Sequence, residues 1–182
     1  MSKILVTGSS SGIGLETALT LARAGHNVFA TMRTPSKAID LAEAVLNEHL
    51  PLTISALDVD SDESVATAIA AILAESGHID VLVNNAGVER MGSIEELSMD
   101  DFRATMETNY FGALRCIRAL IPSMRERQSG CIVNVTSIAG RIANSPSGAY
   151  AASKFALEGA SEALAQEMKP FQVRVVLIEP GI

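Results

Sequence analysis

Short runs rich in Val and Ile alternate with longer stretches of helical period along the 182-residue chain, and this alternation leaves few folds open. It is the pattern of repeated βα units around a parallel sheet. Strands are expected at residues 4–7, 27–31, 52–57, 81–84, 131–136 and 173–178, and helices at 12–24, 36–50, 61–76, 100–127 and 149–168. The near-continuous apolar runs Val81-Leu82-Val83 and Val173-Arg174-Val175-Val176-Leu177-Ile178 fit strands covered on both faces. Right-handed crossovers then give an α/β, doubly wound parallel sheet of six strands, with its ligand crevice beyond the strands' carboxyl ends. No repeat, Pro-rich linker or low-complexity block interrupts the pattern, and the six prolines are expected at segment edges, so residues 1–182 read as one domain.

Composition narrows the partners. Lys plus Arg number 14 against 21 Asp plus Glu, a net charge of −7, and no basic run exists, so the electrostatic footprint for nucleic acid or anionic lipid is missing. Apolar stretches such as residues 69–74 fall far short of the ~20 that span a bilayer. The N-terminus holds one Lys and three apolar residues before polar Gly/Ser sequence, too short for a signal-peptide core, so a cytoplasmic location is expected. Cys116 and Cys131 lie in segments expected to be buried helix and strand, without ligand spacing, and read as inert core thiols.

Thr7-Gly8-Ser9-Ser10-Ser11-Gly12-Ile13-Gly14 follows the first strand and opens an amphipathic segment. Glycines there permit a tight turn, close approach of backbone to phosphate and close helix-on-strand packing, while the helix N-terminus offers N–H groups to an anion. A pyrophosphate suits this corner, although the spacing is G-x-x-x-G-x-G and not the dinucleotide fingerprint G-x-G-x-x-G. At the end of the second strand, Ala30-Thr31-Met32-Arg33 holds no carboxylate for a free ribose hydroxyl and one guanidinium suited to a 2′-phosphate. NADP is expected over NAD. Asp58, just past the third strand, is free to meet an adenine.

Other motifs carry less. Asp58-Val59-Asp60-Ser61-Asp62 mimics a calcium loop, but its sixth position is Glu63 and its twelfth Ile69, so no metal is expected. Asp60 and Ser61 read as caps of the next helix, with Asp62 and Glu63 favourable to its dipole. Asn134-Val135-Thr136 matches a glycosylation acceptor but falls in an expected buried strand. His26, His49 and His78 stand at segment ends without evident acidic partners and read as surface or capping residues.

Tyr150 and Lys154 are four apart in an expected helix, which puts them on one face. Ser137 ends the preceding strand, and Asn109 lies within the long helix before it, where a poor helix former needs a reason. Together, Thr7-Gly8-x-x-x-Gly12-x-Gly14, Asn84-Asn85-Ala86-Gly87, Asn109, Ser137, Tyr150-x-x-x-Lys154 and Pro180-Gly181 resemble the short-chain dehydrogenase/reductase family, in the right order over essentially the whole chain. The resemblance implies a Rossmann-like fold and hydride transfer between NADP(H) and a carbonyl or secondary alcohol. It makes Tyr150 the acid/base, Lys154 the residue that holds the nicotinamide ribose and lowers the Tyr150 pKa, Ser137 the orienting hydroxyl, and Asn109 the anchor of a water relay. It further implies that Gly8, Ser10, Ser11, Gly12, Ile13 and Gly14 hold the cofactor's phosphates, and that Arg33, Asp58, Val59, Asn85, Ala86 and Gly87 line its adenosine side. Pro180, Gly181 and Ile182 would meet the nicotinamide. A phenol near pKa ~10 needs a shift of roughly three units, about 4 kcal/mol, to act near neutrality, which a neighbouring cation can supply.

Family members usually continue past the Pro-Gly turn with a substrate lid and a final strand, so both are expected to be missing here and the pocket to be open on one side. A second reading, from another class, is therefore a cofactor-binding or assembly fragment without turnover. A third is a nucleotide-sugar epimerase of the extended branch, which shares the Tyr and Lys spacing but usually differs in glycine spacing. Residues 36–57 and 88–97 resemble the branch acting on apolar ketones, hydroxysteroids or retinoid-like alcohols. The helical stripes Phe102, Met106, Tyr110, Ala113, Ile117 and Ala152, Ala156, Gly159, Ala163 resemble the family's dimer helices and imply a homodimer.

Overall fold

The computed structural model describes residues 1–181; Ile182, expected at the nicotinamide, lies outside them. Six parallel strands form one sheet: β1 Lys3–Thr7, β2 Asn27–Met32, β3 Leu52–Ala56, β4 Val81–Asn84, β5 Gly130–Val135 and β6 Val173–Ile178, in the order β3-β2-β1-β4-β5-β6. The order reverses between β1 and β4, so the loops leaving these two strands part and open a crevice at their carboxyl ends. The helices are α1 Gly12–Arg23, α2 Ile39–Glu48, α3 Asp62–Ser76, α4 Met99–Met106, α5 Gly112–Arg127 and α6 Gly148–Met168. This is the doubly wound, Rossmann-like α/β architecture that the alternation predicts.

Strand periodicity divides the core. Leu5 enters one apolar cluster with Leu82, Ile132, Ile69 and Ile117, while its neighbours Ile4 and Val6 enter a second with Val28, Leu19 and Leu41. Successive β-strand side chains point to opposite faces, so each strand feeds both layers. At about 25 cal/mol per Å² of apolar surface, each fully buried side chain of this kind contributes about 1.5–3 kcal/mol.

Several boundaries differ from the sequence expectation. The segment 100–127 is not one regular helix: α4 and α5 are joined by a π-helical turn, Glu107–Phe111, which holds Asn109. Pro35 opens a separate 3₁₀ turn, Pro35–Lys37, before α2, because its fixed φ suits a helical first position. Pro122 lies inside α5 and not at an edge, where it has no N–H for the carbonyl four residues back. Ser61 caps α3 by accepting from the Ser64 N–H at 3.2 Å, as expected, whereas Asp60 accepts from Thr108 Oγ at 3.0 Å and caps nothing. His78 does have an acid nearby, its Nε2 lying 3.3 Å from Asp80 Oδ1. Within the dimer stripes, Ala113 and Ile117 are buried in the chain's own core, since α5 packs that face on the sheet; Ala152, Gly159 and Ala163 are exposed.

Candidate active site

The loop after β1 is shaped by what its glycines leave out. Gly8 sits at φ +70°, and a Cβ on it would stand 2.7 Å from Ala86 Cα; one on Gly14 would stand 2.3 Å from both the Gly8 carbonyl oxygen and Asn85 Nδ2. No side chain fits either place. Across the crevice, Asn85 donates its side-chain amide to the Thr7 and Gly8 carbonyls, each at 3.0 Å, and Thr7 Oγ accepts from the Asn85 and Ala86 N–H groups at 3.1 Å. These bonds stitch the two parting loops together and fix the floor beneath them. Ser11, at the N-cap of α1, makes no side-chain capping bond, whereas Ser61 and Ser98 cap α3 and α4. The first turn of α1 therefore presents its N–H groups outward, the arrangement that binds an anion.

A cleft of about 490 Å³ lies over this floor, lined by Gly8, Ser10, Ser11, Ile13, Arg33, Asp58, Val59, Asn85, Ala86 and Gly87 among others. Ten expected cofactor residues thus meet in one place; Gly12, which is exposed, and Gly14, which is buried, do not line it. Lys37, which sequence reasoning missed, lines the same cleft as Arg33. Neither cation has an ion-pair partner among the described residues. The signal for Lys37 was available in its spacing from Arg33 across a Pro-opened turn.

A second cleft of about 670 Å³ shares Ile13, Asn85, Gly87 and Val88 with the first and continues it to Ser137, Tyr150, Lys154, Pro180 and Gly181. One trough therefore runs along the sheet's carboxyl edge from Arg33 to Pro180. Ser137 caps the 3₁₀ turn Ile138–Gly140, accepting from the Ala139 N–H at 3.1 Å. Pro180 is drawn beside it, its carbonyl accepting from the Ile138 N–H at 3.0 Å. Lys154 is buried and donates to the Val135 carbonyl at 2.9 Å, with its Nζ 5.5 Å from the Tyr150 ring centre.

Asn109 does not face the trough. Its Oδ1 accepts from the Val88 N–H at 2.7 Å, while Nδ2 donates to the Val88 carbonyl and to Ser153 Oγ, both at 2.9 Å. Ser153 in turn donates to the Tyr150 carbonyl at 2.7 Å. The Asn109 side chain is thus a brace between the loop after β4 and the turn of α6 that carries Tyr150. That is the reason a poor helix former stands in the π turn.

Burial dominates the electrostatics of the cofactor-free site. Burial raises the Tyr150 phenol above its ordinary value; the adjacent Ser137 hydroxyl offsets part of this, and the Glu89 carboxylate adds to it. Burial also pulls the Lys154 ammonium down to about 8, with Glu158 opposing. The Lys154 ammonium donates to the Val135 carbonyl, and burial is the largest influence on the phenol of the cofactor-free site. Glu89 and Glu158 carried no sequence signal, because nothing local marks a carboxylate that tertiary packing will bring to a site.

A family model described as "short chain dehydrogenase" matches residues 2–182. This chain belongs to that family. A 3-ketodihydrosphingosine reductase of Bacteroides thetaiotaomicron is 40% identical over 98% of this chain and 62% of its own length, and a retinol dehydrogenase 8 of Bos taurus is 45% identical over 98% and 58%. The chain therefore spans about three fifths of the length of these relatives. Among solved structures, a short-chain dehydrogenase from Streptomyces avermitilis superposes with TM-score 0.94 at 40% identity, covering all of this chain and 67% of the other. A metagenomic short-chain oxidoreductase in complex with NADP superposes with TM-score 0.93 at 32% identity, covering all of this chain and 82% of the other. Among the described residues, no helix is long and apolar enough to cross a membrane, and no group of His, Cys, Asp and Glu could hold a metal ion.

Proposed function

We propose that this short-chain dehydrogenase transfers a hydride between NADP(H) and a carbonyl or secondary alcohol of a small, largely apolar molecule. The observation that carries the reading is the single trough, with an anion-binding floor and two unpaired cations at one end and Tyr150, Ser137 and Lys154 at the other. NADP is supported over NAD by Arg33 and Lys37 at the end of β2, and by the lack of a carboxylate on that stretch. The uncapped first turn of α1 and the cleft lined by Gly8 fit the pyrophosphate; Asp58, Val59, Ala86 and Gly87 would meet the adenosine, and Pro180 and Gly181 the nicotinamide. When bound, the cofactor supplies or accepts the hydride.

The chain's own residues then manage the proton and the oxygen. Ser137 donates to the carbonyl oxygen, and Tyr150 protonates it as charge develops there. A phenol held above its ordinary pKa keeps its proton until an alkoxide, a far stronger base, takes it, which suits Tyr150 to the proton-donor role in reduction. In the reverse direction Tyr150 must first lose that proton, and the Lys154 ammonium is the nearby charge that favours its anion. Val88, Met91, Ile138 and Pro146 line the substrate end, supporting an apolar substrate. Reductases and dehydrogenases named for a sphingoid ketone and for retinol among the relatives agree with that class. We further propose a cytoplasmic location, on two buried unpaired thiols, and a homodimer through the faces of the π turn and α6 that expose Phe111 and Phe155; a monomeric mass across a concentration series would count against the dimer.

Two readouts test the reading together: nucleotide binding by fluorescence, and consumption of NADPH with a panel of apolar ketones. Binding with turnover is expected, NADPH being preferred to NADH. Binding without turnover on the whole panel would make the chain a cofactor-binding module, and no binding of either nucleotide would overturn the reading entirely.

A further inference from the structure

Arg141, just past the Ser137 turn, reaches three carboxylates at once: Glu158 at 3.1 Å, Glu162 at 3.3 Å and Glu179 at 3.0 Å. Two stand on α6 and the third follows β6, directly before Pro180. They are not equivalent. The Glu162 and Glu179 side chains are 59% and 37% exposed, whereas that of Glu158 is 4% exposed and neither of its oxygens has a hydrogen-bond partner. A carboxylate buried on ion contact alone is costly, and an apolar side chain at that helical position would remove the cost. One turn earlier on α6 stands Lys154, equally buried. Gly140 lets the Ser137 turn lie against both, since a Cβ on it would come 3.0 Å from Glu158 Cγ and 3.3 Å from the Lys154 carbonyl.

We propose that Glu158, clamped by Arg141, is a positioning residue for the reaction: its buried carboxylate is the counter-charge of Lys154, while the Arg141 fan locks the Ser137 turn and the Pro180 turn onto the same stretch of α6. The inference rests on the roles given above to Lys154 and Ser137. Burial works to neutralise the Lys154 amine, and Glu158 is the charge that opposes it. Other charged groups on the surrounding elements act elsewhere. Glu89, after β4, acts on Tyr150; Glu107, on the π turn, is paired with Arg115; Glu162 and Glu179 are held by Arg141. Tyr150 itself stays neutral while its phenol is raised. Arg141 would reach Lys154 through Glu158, holding that carboxylate in its buried place.

The test reads Lys154 directly, by carbon NMR titration of isotope-labelled lysine in the full cofactor-free chain, with Lys154→Met assigning the signal. The midpoint is expected near 8 and should fall by about one unit in Glu158→Gln. Glu162→Gln and Glu179→Gln share Arg141 but should leave it in place. If Glu158→Gln does not fold, Glu158→Asp, which withdraws the charge by one methylene, should give a smaller shift in the same direction. In turnover, the alkaline limb of kcat should move to lower pH with the NMR midpoint. An unshifted midpoint, or a rate loss uniform across pH, overturns the inference. Nucleotide binding with an unshifted midpoint would sink it alone and leave the functional reading standing.

Discussion

The two ends of the trough are built from different materials. At the β1–β2–β3 end the surface is largely main chain: the turn at Gly8, with Gly14 packed beneath it, and the uncapped first turn of α1, with Arg33 and Lys37 exposed at the rim. The β4–β5–β6 end is backed by buried polar side chains: Asn109 bonded to Ser153, Lys154 on the Val135 carbonyl, Glu158 under Arg141, and a chain from Asn84 through Asn134 to Ser161 at 2.9 and 2.8 Å. Phosphates need only directed N–H groups and room, which backbone supplies without burying charge. Proton transfer needs charges held in a low-dielectric setting, which only buried side chains supply, at a cost in stability. The first end is therefore sensitive to added atoms, and the second to removed or neutralised ones.

The largest effect expected from this contrast is at the second end. Tyr150→Phe should lower kcat by about 10²–10⁴ while leaving nucleotide affinity within a few fold; loss of binding in parallel would mean that the two ends are not separable. At the first end, Gly8→Ala should drive a methyl against Ala86 in a left-handed turn. A destabilisation of about 1–3 kcal/mol is expected, with nucleotide binding lost, in thermal unfolding and fluorescence titration. Normal binding by that variant would show that the floor is soft.

Rim cations should matter less, because they act on one phosphate in high dielectric. Arg33→Ala is expected to reduce the preference for NADPH over NADH by about tenfold in kcat/KM, with Lys37→Ala smaller, through the loss of charge-assisted hydrogen bonds. An unchanged ratio would remove the support for NADP. The last effect concerns stability. The folded-state pKa of Lys154, about 8, lies below its ordinary 10.5, so between these values the unfolded chain holds more protons and stability rises with pH. Below pH 8 the whole cost of a buried ammonium is present. Lys154→Met should thus abolish turnover yet stabilise the chain by about 1–3 kcal/mol at pH 7, a gain that fades towards pH 10. Equal stability at both pH values would place the amine in water.

Much of this contrast was legible in advance, for a physical reason that differs by region. Strands covered on both faces must be apolar throughout, and crossover helices must be amphipathic, so the six-stranded sheet could be read from hydrophobic period alone. The phosphate corner was legible too, because close backbone approach admits only glycine, and the spacing of Tyr150 and Lys154 places them on one helical face. What period could not show was the break in the segment 100–127, since a π turn is stabilised by what it reaches: the Asn109 amide spans from that turn to Val88 and Ser153.

The chain's own letters determined its layers, the glycine turn after β1 and the shared helical face of Tyr150 and Lys154, all set by local geometry repeated along the backbone. Tertiary structure alone decided which charges share a dielectric. It brought Glu89 towards Tyr150 and Arg141 over Glu158, and it turned Ala113 and Ile117 inward. Burial and through-space fields depend on what the folded chain packs around a group, and that neighbourhood is written in no short stretch of sequence.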